Sequence, residues 1–330
     1  ATDHQGITQA PGALPIVGHL IPLLRDPLHF LKTLGSHGDL VQIRLGPQTA
    51  VVVCRPELVQ EVLLHDRMYD KGGPIIERIG NALGEGLASC PHSAHRRQRR
   101  TLQPAFSRSC LHDYAAIMSE QIDTLTTGWS EGQTVDVATQ LYTFASGTIA
   151  RTLFTAKAAE PAIETVKECL PDIFRGIYQQ AVLPPWLNSL PIPSNLRYKR
   201  ARNRAWAEVS KTISLYRQDD ETHGDVLSML LKTRDDAGGA LGDAEIHAQI
   251  MTLLVAGIES TAVALTWATH LLCRYPDVQE RLRAETSKVL GTRTATWDDL
   301  PQLDLARRVI TETLRLYPPG WILTRTTAAE

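Results

Sequence analysis

After Pro56 apolar residues recur at three- and four-residue spacing along most of the chain, a period that predicts helices. It runs through PELVQEVLLHD, HRRQRRTLQPAF, LHDYAAIMSEQIDTLTTGW, AAEPAIETVKECLPDIFRGIYQQ, YKRARNRAWAEVSKTISLYRQ and AEIHAQIMTLLVAGIESTAVALTWATHLL. A two-residue alternation is concentrated in GDLVQIRLGPQTAVVVC, where the Gly46-Pro47 break predicts a hairpin. Prolines and glycines in LPPWLNSLPIPSN and TRDDAGGALGD stop helices without forming a low-complexity linker. The pattern therefore predicts one mainly α domain over residues 1–330, with a small sheet near its start.

The stretch MTLLVAGIESTAVALTWATHLLC, Met251 to Cys273, is long enough to span a bilayer, but Glu259, Ser260 and Thr261 interrupt its middle. A carboxylate at that depth is costly and the flanks are charged, so a buried core helix is expected and no membrane span. Lysine plus arginine number 34 against 36 aspartates and glutamates, a net charge of −2. That balance supplies no basic excess for nucleic acid or an anionic membrane and points to a neutral partner. Cys54, Cys90, Cys110, Cys169 and Cys273 form no CxxC pair and leave an odd count, against a disulfide framework or a zinc site. A reducing cytoplasm is expected. The opening ATDHQGITQAPGALPIVGHL lacks the pattern of a signal peptide.

Four local motifs carry chemistry. In AGIEST, small Ala256 and Gly257 clear one helical turn for the approach of a bulky group, and Glu259 and Ser260 follow at once. The alternatives are structural: a serine bonded to the carbonyl four residues back, and a glutamate paired with a distant cation. In ETLR, Glu312 and Arg315 share a helix face, by default a solvated ion pair. Pro318 and Pro319 then end the helix and lead an extended apolar segment to Arg325. In HSAHRRQRRTLQPAF, His95 and Arg99 share one face, suited to a ligand's carboxylates, with Arg96 and Arg100 on the next. A solvated basic face is the competing reading, and a nucleic-acid patch fits poorly without interleaved aromatics. APGALPIVGHL is a stiff, proline-punctuated lead into the first helix.

In this order the motifs resemble the cytochrome P-450 family of haem-thiolate monooxygenases, from about Pro11 to the last residue. HRRQRRTLQPAF, EIHAQIMTLLVAGIESTA and VITETLRLYPPGWILTRTT look most like the family's bacterial sesquiterpene oxidisers. The resemblance implies a fold with a long central helix, a helical bundle and a small N-terminal sheet, and haem b (iron protoporphyrin IX) as cofactor. It implies that His95 and Arg99, with Arg325 as a third contact, bind the haem propionates. Ala256 and Gly257 would sit over the porphyrin and leave room for dioxygen. Glu259 and Ser260 would pass protons towards it, chemistry that needs an ionisable group beside a hydroxyl in a water-poor pocket. Glu312 and Arg315 would be a structural ion pair. GGPIIERIGNALGEGLA and AVLPPWLNSLPIP lie where the family places substrate-contacting loops.

Ser260 departs from the family's usual threonine, keeping the hydroxyl but losing the methyl that restrains its rotamer. The family's thiolate ligand sits beyond the ExxR helix, in a glycine-containing loop opened by phenylalanine, and is expected beyond Glu330. The 330 residues alone are therefore expected to bind haem poorly and to be inactive, as a truncated copy or a non-catalytic remnant. The expected activity of the whole is insertion of one dioxygen oxygen into an apolar, terpenoid substrate. Because no flavin or iron–sulfur motif is present, a ferredoxin and its reductase are the expected electron donors. A terpene cyclase is the other enzymatic reading, but the aspartate pairs of QDDETHGD and TRDDAGG lack a further aspartate three residues on.

Overall fold

The computed structural model describes residues 7–155, 159–183, 185–219, 224–234 and 239–327. Strands β1 (Thr8–Gln9), β2 (Leu40–Leu45) and β3 (Gln48–Val53) form one sheet, and β4 (Tyr69–Lys71) pairs with β5 (Arg325–Thr327) in another. Helices follow in chain order as α1 (Leu20–Arg25), α2 (Pro27–Leu34), α3 (Pro56–Leu64), α4 (Pro74–Leu83), α5 (His92–Leu102), α6 (Arg108–Thr127) and α7 (Val137–Leu153). Then come α8 (Glu160–Val182), α9 (Pro185–Ser189), α10 (Pro193–Gln218), α11 (Val226–Lys232), α12 (Asp243–Arg274), α13 (Pro276–Leu290) and α14 (Asp304–Leu316). The fold is mainly α with small sheets, as the periodicity requires. The described residues fall into two compact units. The first runs up to Ile79 and adds Phe174–Tyr198 and a segment from Thr324; the second joins Gly80–Ile173 to Lys199–Leu323.

In the first unit the predicted hairpin is present, with Leu45 opposite Gln48 and Gly46 at a φ of 65° in the two-residue turn. A side chain at that backbone angle would be strained, which is why glycine opens the turn. Alternation along β2 buries Val41 and Ile43, which pack with Ala10, Leu34, Phe30 and Val52. Buried His19 joins the lead to this sheet. Its Nδ1 accepts from Arg44 N–H at 3.0 Å, so Nε2 carries the proton and donates to Ala10 O at 3.2 Å.

The second unit is organised on α12, a helix of 32 residues whose Ile246, Ile250, Met251, Leu254 and Ile258 are buried. Among the described residues α12 is the one helix long and apolar enough to cross a membrane. Its buried residues lie mostly in the first half, and α7, with α11, α13 and α14, packs against it. Helix α7 has no strong apolar stripe: besides Leu141 and Leu153 its buried residues are the small Ala145, Ser146, Thr148, Ala150 and Thr152. Small residues let it lie close to α12 but leave a weak periodic signal. Asp136 caps its start, accepting from Thr139 N–H at 3.2 Å.

Two expectations are corrected. AVLPPWLNSLPIP, read as a loop, contains α9. GGPIIERIGNALGEGLA, expected to supply a loop, contains α4, because Pro74 sits at a helix start and Ile75, Ile76, Ile79, Ala82 and Leu83 follow at helical spacing.

Candidate active site

The middle of α12 opens on one side. Ile258 and Ala262 are buried, whereas Ala256, Ser260 and Thr261 are exposed, giving a strip of small side chains at mid-helix. Ser260 Oγ donates to Ala256 O at 2.5 Å, the back-bond open to a helical serine. Ala256 borders the open strip. Gly257 faces elsewhere: a Cβ there would run into the Ile149 side chain, so the close approach it permits is that of α7.

Glu259 is half-buried and has neither an ion pair nor a hydrogen bond among the described residues. The structural alternative, pairing with arginine or lysine, is therefore not realised among them. Burial alone raises its carboxyl above the usual range. Tyr142, on α7, places a buried hydroxyl without a partner among the described residues. Burial, then the Glu259 charge, pushes that phenol up to about 12. A carboxyl with a raised pKa exchanges its proton more readily near neutrality than an ordinary glutamate does.

Helix α5 carries His95 and Arg99 one turn apart; His95 is half-buried, and Arg99 is exposed with no side-chain partner among the described residues. The basic run is not uniformly solvated. Arg97 Nη1 donates to Glu245 Oε1 of α12 at 2.8 Å, and Gln98 and Leu102 are buried. Arginine, glutamine and leucine thus anchor α5 while Arg99 stays available.

Arg325 lies in the first unit at the start of β5, opposite Lys71, with Nη1 donating to Thr324 O at 2.9 Å. On α14, Arg315 Nε and Nη2 each donate to Glu312 carboxylate oxygens at 2.7 Å, a bidentate pair with both side chains more than half exposed. The guanidinium holds the Glu312 carboxyl below its usual range. Asp220 of one sequence-flagged pair and Asp235 and Asp236 of the other lie outside the described residues.

A porphyrin needs an open surface against one face and cations for its two carboxylates. The small-residue strip of α12 suits the first and the exposed Arg99 guanidinium the second. No cysteine here suits an axial thiolate. Burial pushes the Cys54 and Cys169 thiols up, Cys90 and Cys110 donate to the carbonyls of Leu87 and Pro104, and Cys273 lies thirteen residues beyond Ser260 on α12, about 20 Å along the axis.

The cytochrome P-450 family model matches residues 9–330. Pentalenene oxygenase of Streptomyces avermitilis is 45% identical over 321 residues, 97% of this chain and 72% of that protein. Cyclooctatin synthase of Streptomyces melanosporofaciens is 44% identical over 330 residues, covering 99% of this chain and 72% of the relative. Among solved structures, retinoic acid bound cyanobacterial CYP120A1 superposes with a TM-score of 0.81 at 25% identity, over 95% of this chain and 70% of that one.

Proposed function

The chain belongs to the cytochrome P-450 family of haem-dependent monooxygenases, and on that premise we propose that it oxidises an apolar terpenoid, of sesquiterpenoid size, using electrons from a ferredoxin and its reductase in the cytoplasm. Pentalenene and cyclooctatin, named in the relatives, support the terpenoid class. The family match is continuous from residue 9 to 330, which supports reading the two units as parts of one domain. The observation that carries the reading is the exposed strip of Ala256, Ser260 and Thr261 beside half-buried Glu259, which has no ion pair among the described residues.

Haem supplies one-electron and dioxygen chemistry when bound. Arg99, with His95 one turn before it, would hold the propionates through charge-assisted hydrogen bonds. Ala256 leaves space where a larger side chain would block approach. Glu259, whose carboxyl burial raises above its usual range, would be the ionisable member of the route, and Ser260 offers a hydroxyl to pass a proton on. To donate in that direction Ser260 must rotate away from Ala256 O, and as a serine its rotamer is less restrained than a threonine's. Glu312 and Arg315 would brace α14 rather than touch substrate.

Titration of haem-loaded protein that includes the thiolate-bearing segment expected beyond Glu330, followed by its absorption spectrum, with sesquiterpenes and with polar steroids tests the substrate class. Burial of apolar surface, at about 25 cal/mol per Å², favours the hydrocarbons. Tighter binding of the polar set would overturn the reading.

A further inference from the structure

Two glutamines close a circuit of hydrogen bonds in the second unit. Leu87 N–H donates to Gln249 Oε1 at 3.1 Å, Gln249 Nε2 donates to Gln98 Oε1 at 2.9 Å, and Gln98 Nε2 donates to Glu85 O at 2.9 Å. The path leaves the backbone between α4 and α5 at Leu87, crosses α12 and α5, and returns to the same backbone at Glu85. Gln249 is 0% and Gln98 4% exposed, so water does not substitute for either amide.

The circuit has one direction. A flipped Gln249 amide would set its Nε2 donor against the Leu87 N–H, and a flipped Gln98 would set its oxygen against Glu85 O. Each amide orients the other, and the low local dielectric strengthens the whole. The backbone it grips has no slack: a Cβ on Gly86 would collide with the Ala248 carbonyl and the Thr252 hydroxyl, and Gly84, at a φ of 91°, sits against the Ala248 side chain.

The clasp stands between the two parts of the candidate site. On α5, Gln98 is three residues after His95 and directly before Arg99. On α12, Ala256 and Ser260 follow Gln249 by seven and eleven residues, so all three point to the same side of the helix, about 10 and 16 Å apart along its axis.

We propose that Gln98 and Gln249 are positioning residues, whose amide circuit sets the height and rotation of α5 on α12 and hence where the Arg99 guanidinium stands relative to the open Ala256–Ser260 strip. The proposal rests on the reading of α5 as the holder of the haem carboxylates. Arg97–Glu245 could keep the helices together without the clasp, but an ion pair of two partly exposed side chains does not define rotation as two buried amides do.

The test is the rate at which haem-loaded protein, expressed with the thiolate-bearing segment expected beyond Glu330, releases haem to an acceptor apoprotein. Gln249→Met is compared with Ile213→Ala, a buried truncation on α10, at urea concentrations that match their stabilities. Gln249→Met should release haem about tenfold faster, a loss of ~1.4 kcal/mol, while Ile213→Ala releases it at the parental rate. Should Gln249→Met fold poorly, Gln98→Glu keeps the bond to Gln249 but sets a carboxylate oxygen against Glu85 O, and should act in the same direction. Exchange of the Leu87 amide in haem-free protein should accelerate with Gln249→Met. If Arg99→Gln speeds release while Gln249→Met matches its control, the positioning role falls and the reading of α5 survives. If Arg99→Gln leaves release unchanged, that reading fails and takes the proposal with it.

Discussion

Trp267 lies flat on Tyr317, with ring centroids 4.0 Å apart and planes 3° from parallel. Tyr317 is the residue on which α14 ends, so the stack fastens the C-terminal end of the ExxR helix to α12. The sequence showed where proline stops α14; it gave no sign that the tyrosine before it would find a tryptophan fifty residues earlier.

Tyr317→Ala and Trp267→Ala should each destabilise the protein, and the double variant should lose less than their sum. The coupling should be about 1 kcal/mol, the usual worth of an aromatic pair beyond its buried area. Urea unfolding of the four proteins measures it, and additive losses would show that the rings merely coincide.

At the α7–α12 contact, Gly257→Ala sets two effects against each other. Alanine favours the helix by about 1 kcal/mol, while forcing a methyl into Ile149, a β-branched side chain with little rotamer freedom, costs about 1–3 kcal/mol. A net loss is expected. Pairing the change with Ile149→Ala should recover most of the clash, measured as a shift of the urea midpoint.

For the proposed proton route, Ser260→Ala should leave substrate binding intact while diverting electrons to peroxide. Glu259→Gln, which keeps the shape but cannot supply a proton through a carboxyl, should slow the proton-dependent step by about 100-fold or more. Product formed per electron consumed is the measurement. Unchanged coupling in Ser260→Ala would remove the hydroxyl from the route.

His247 makes stability depend on pH. Its Nε2 lies 3.2 Å from Trp206 O and must donate there, leaving a buried Nδ1 without a partner among the described residues, with the ring 4.0 Å from that of Trp206. Burial, the larger influence, pulls its pKa below the ordinary 6.5. The unfolded chain then binds the proton more readily than the folded one. The stability associated with neutral His247 is complete above about pH 6.5 and declines as pH falls below it, by at most ~1.4 kcal/mol per pH unit. Urea midpoints from about pH 8 to about pH 5 should show that decline in the parent and a shallower one in His247→Gln.

Several elements were legible from local pattern because a single segment contains their cause. The Gly46-Pro47 turn needs only a glycine at positive φ between alternating strands, and α12 needs only its long apolar period with charged flanks. The ETLR pair is likewise a matter of helical spacing, and its bidentate bond follows. Even the carboxyl and hydroxyl of AGIEST could be singled out, since a polar interruption in an apolar helix demands a reason.

Other features depend on residues brought together from distant parts of the chain, and only the tertiary structure decided them. Helix α7 packs with alanine, serine and threonine, whose small size serves close approach but leaves no strong hydrophobic stripe to read. Gly257 looked like room for a ligand, yet its space is occupied by Ile149 across the helix contact. Gln98 and Gln249 are ordinary polar residues in their own helices, and their amide circuit exists only because folding removes water from both and leaves each the other's best partner. Helical period can specify the face on which a side chain emerges, but what meets that face depends on burial, and burial belongs to the assembled chain.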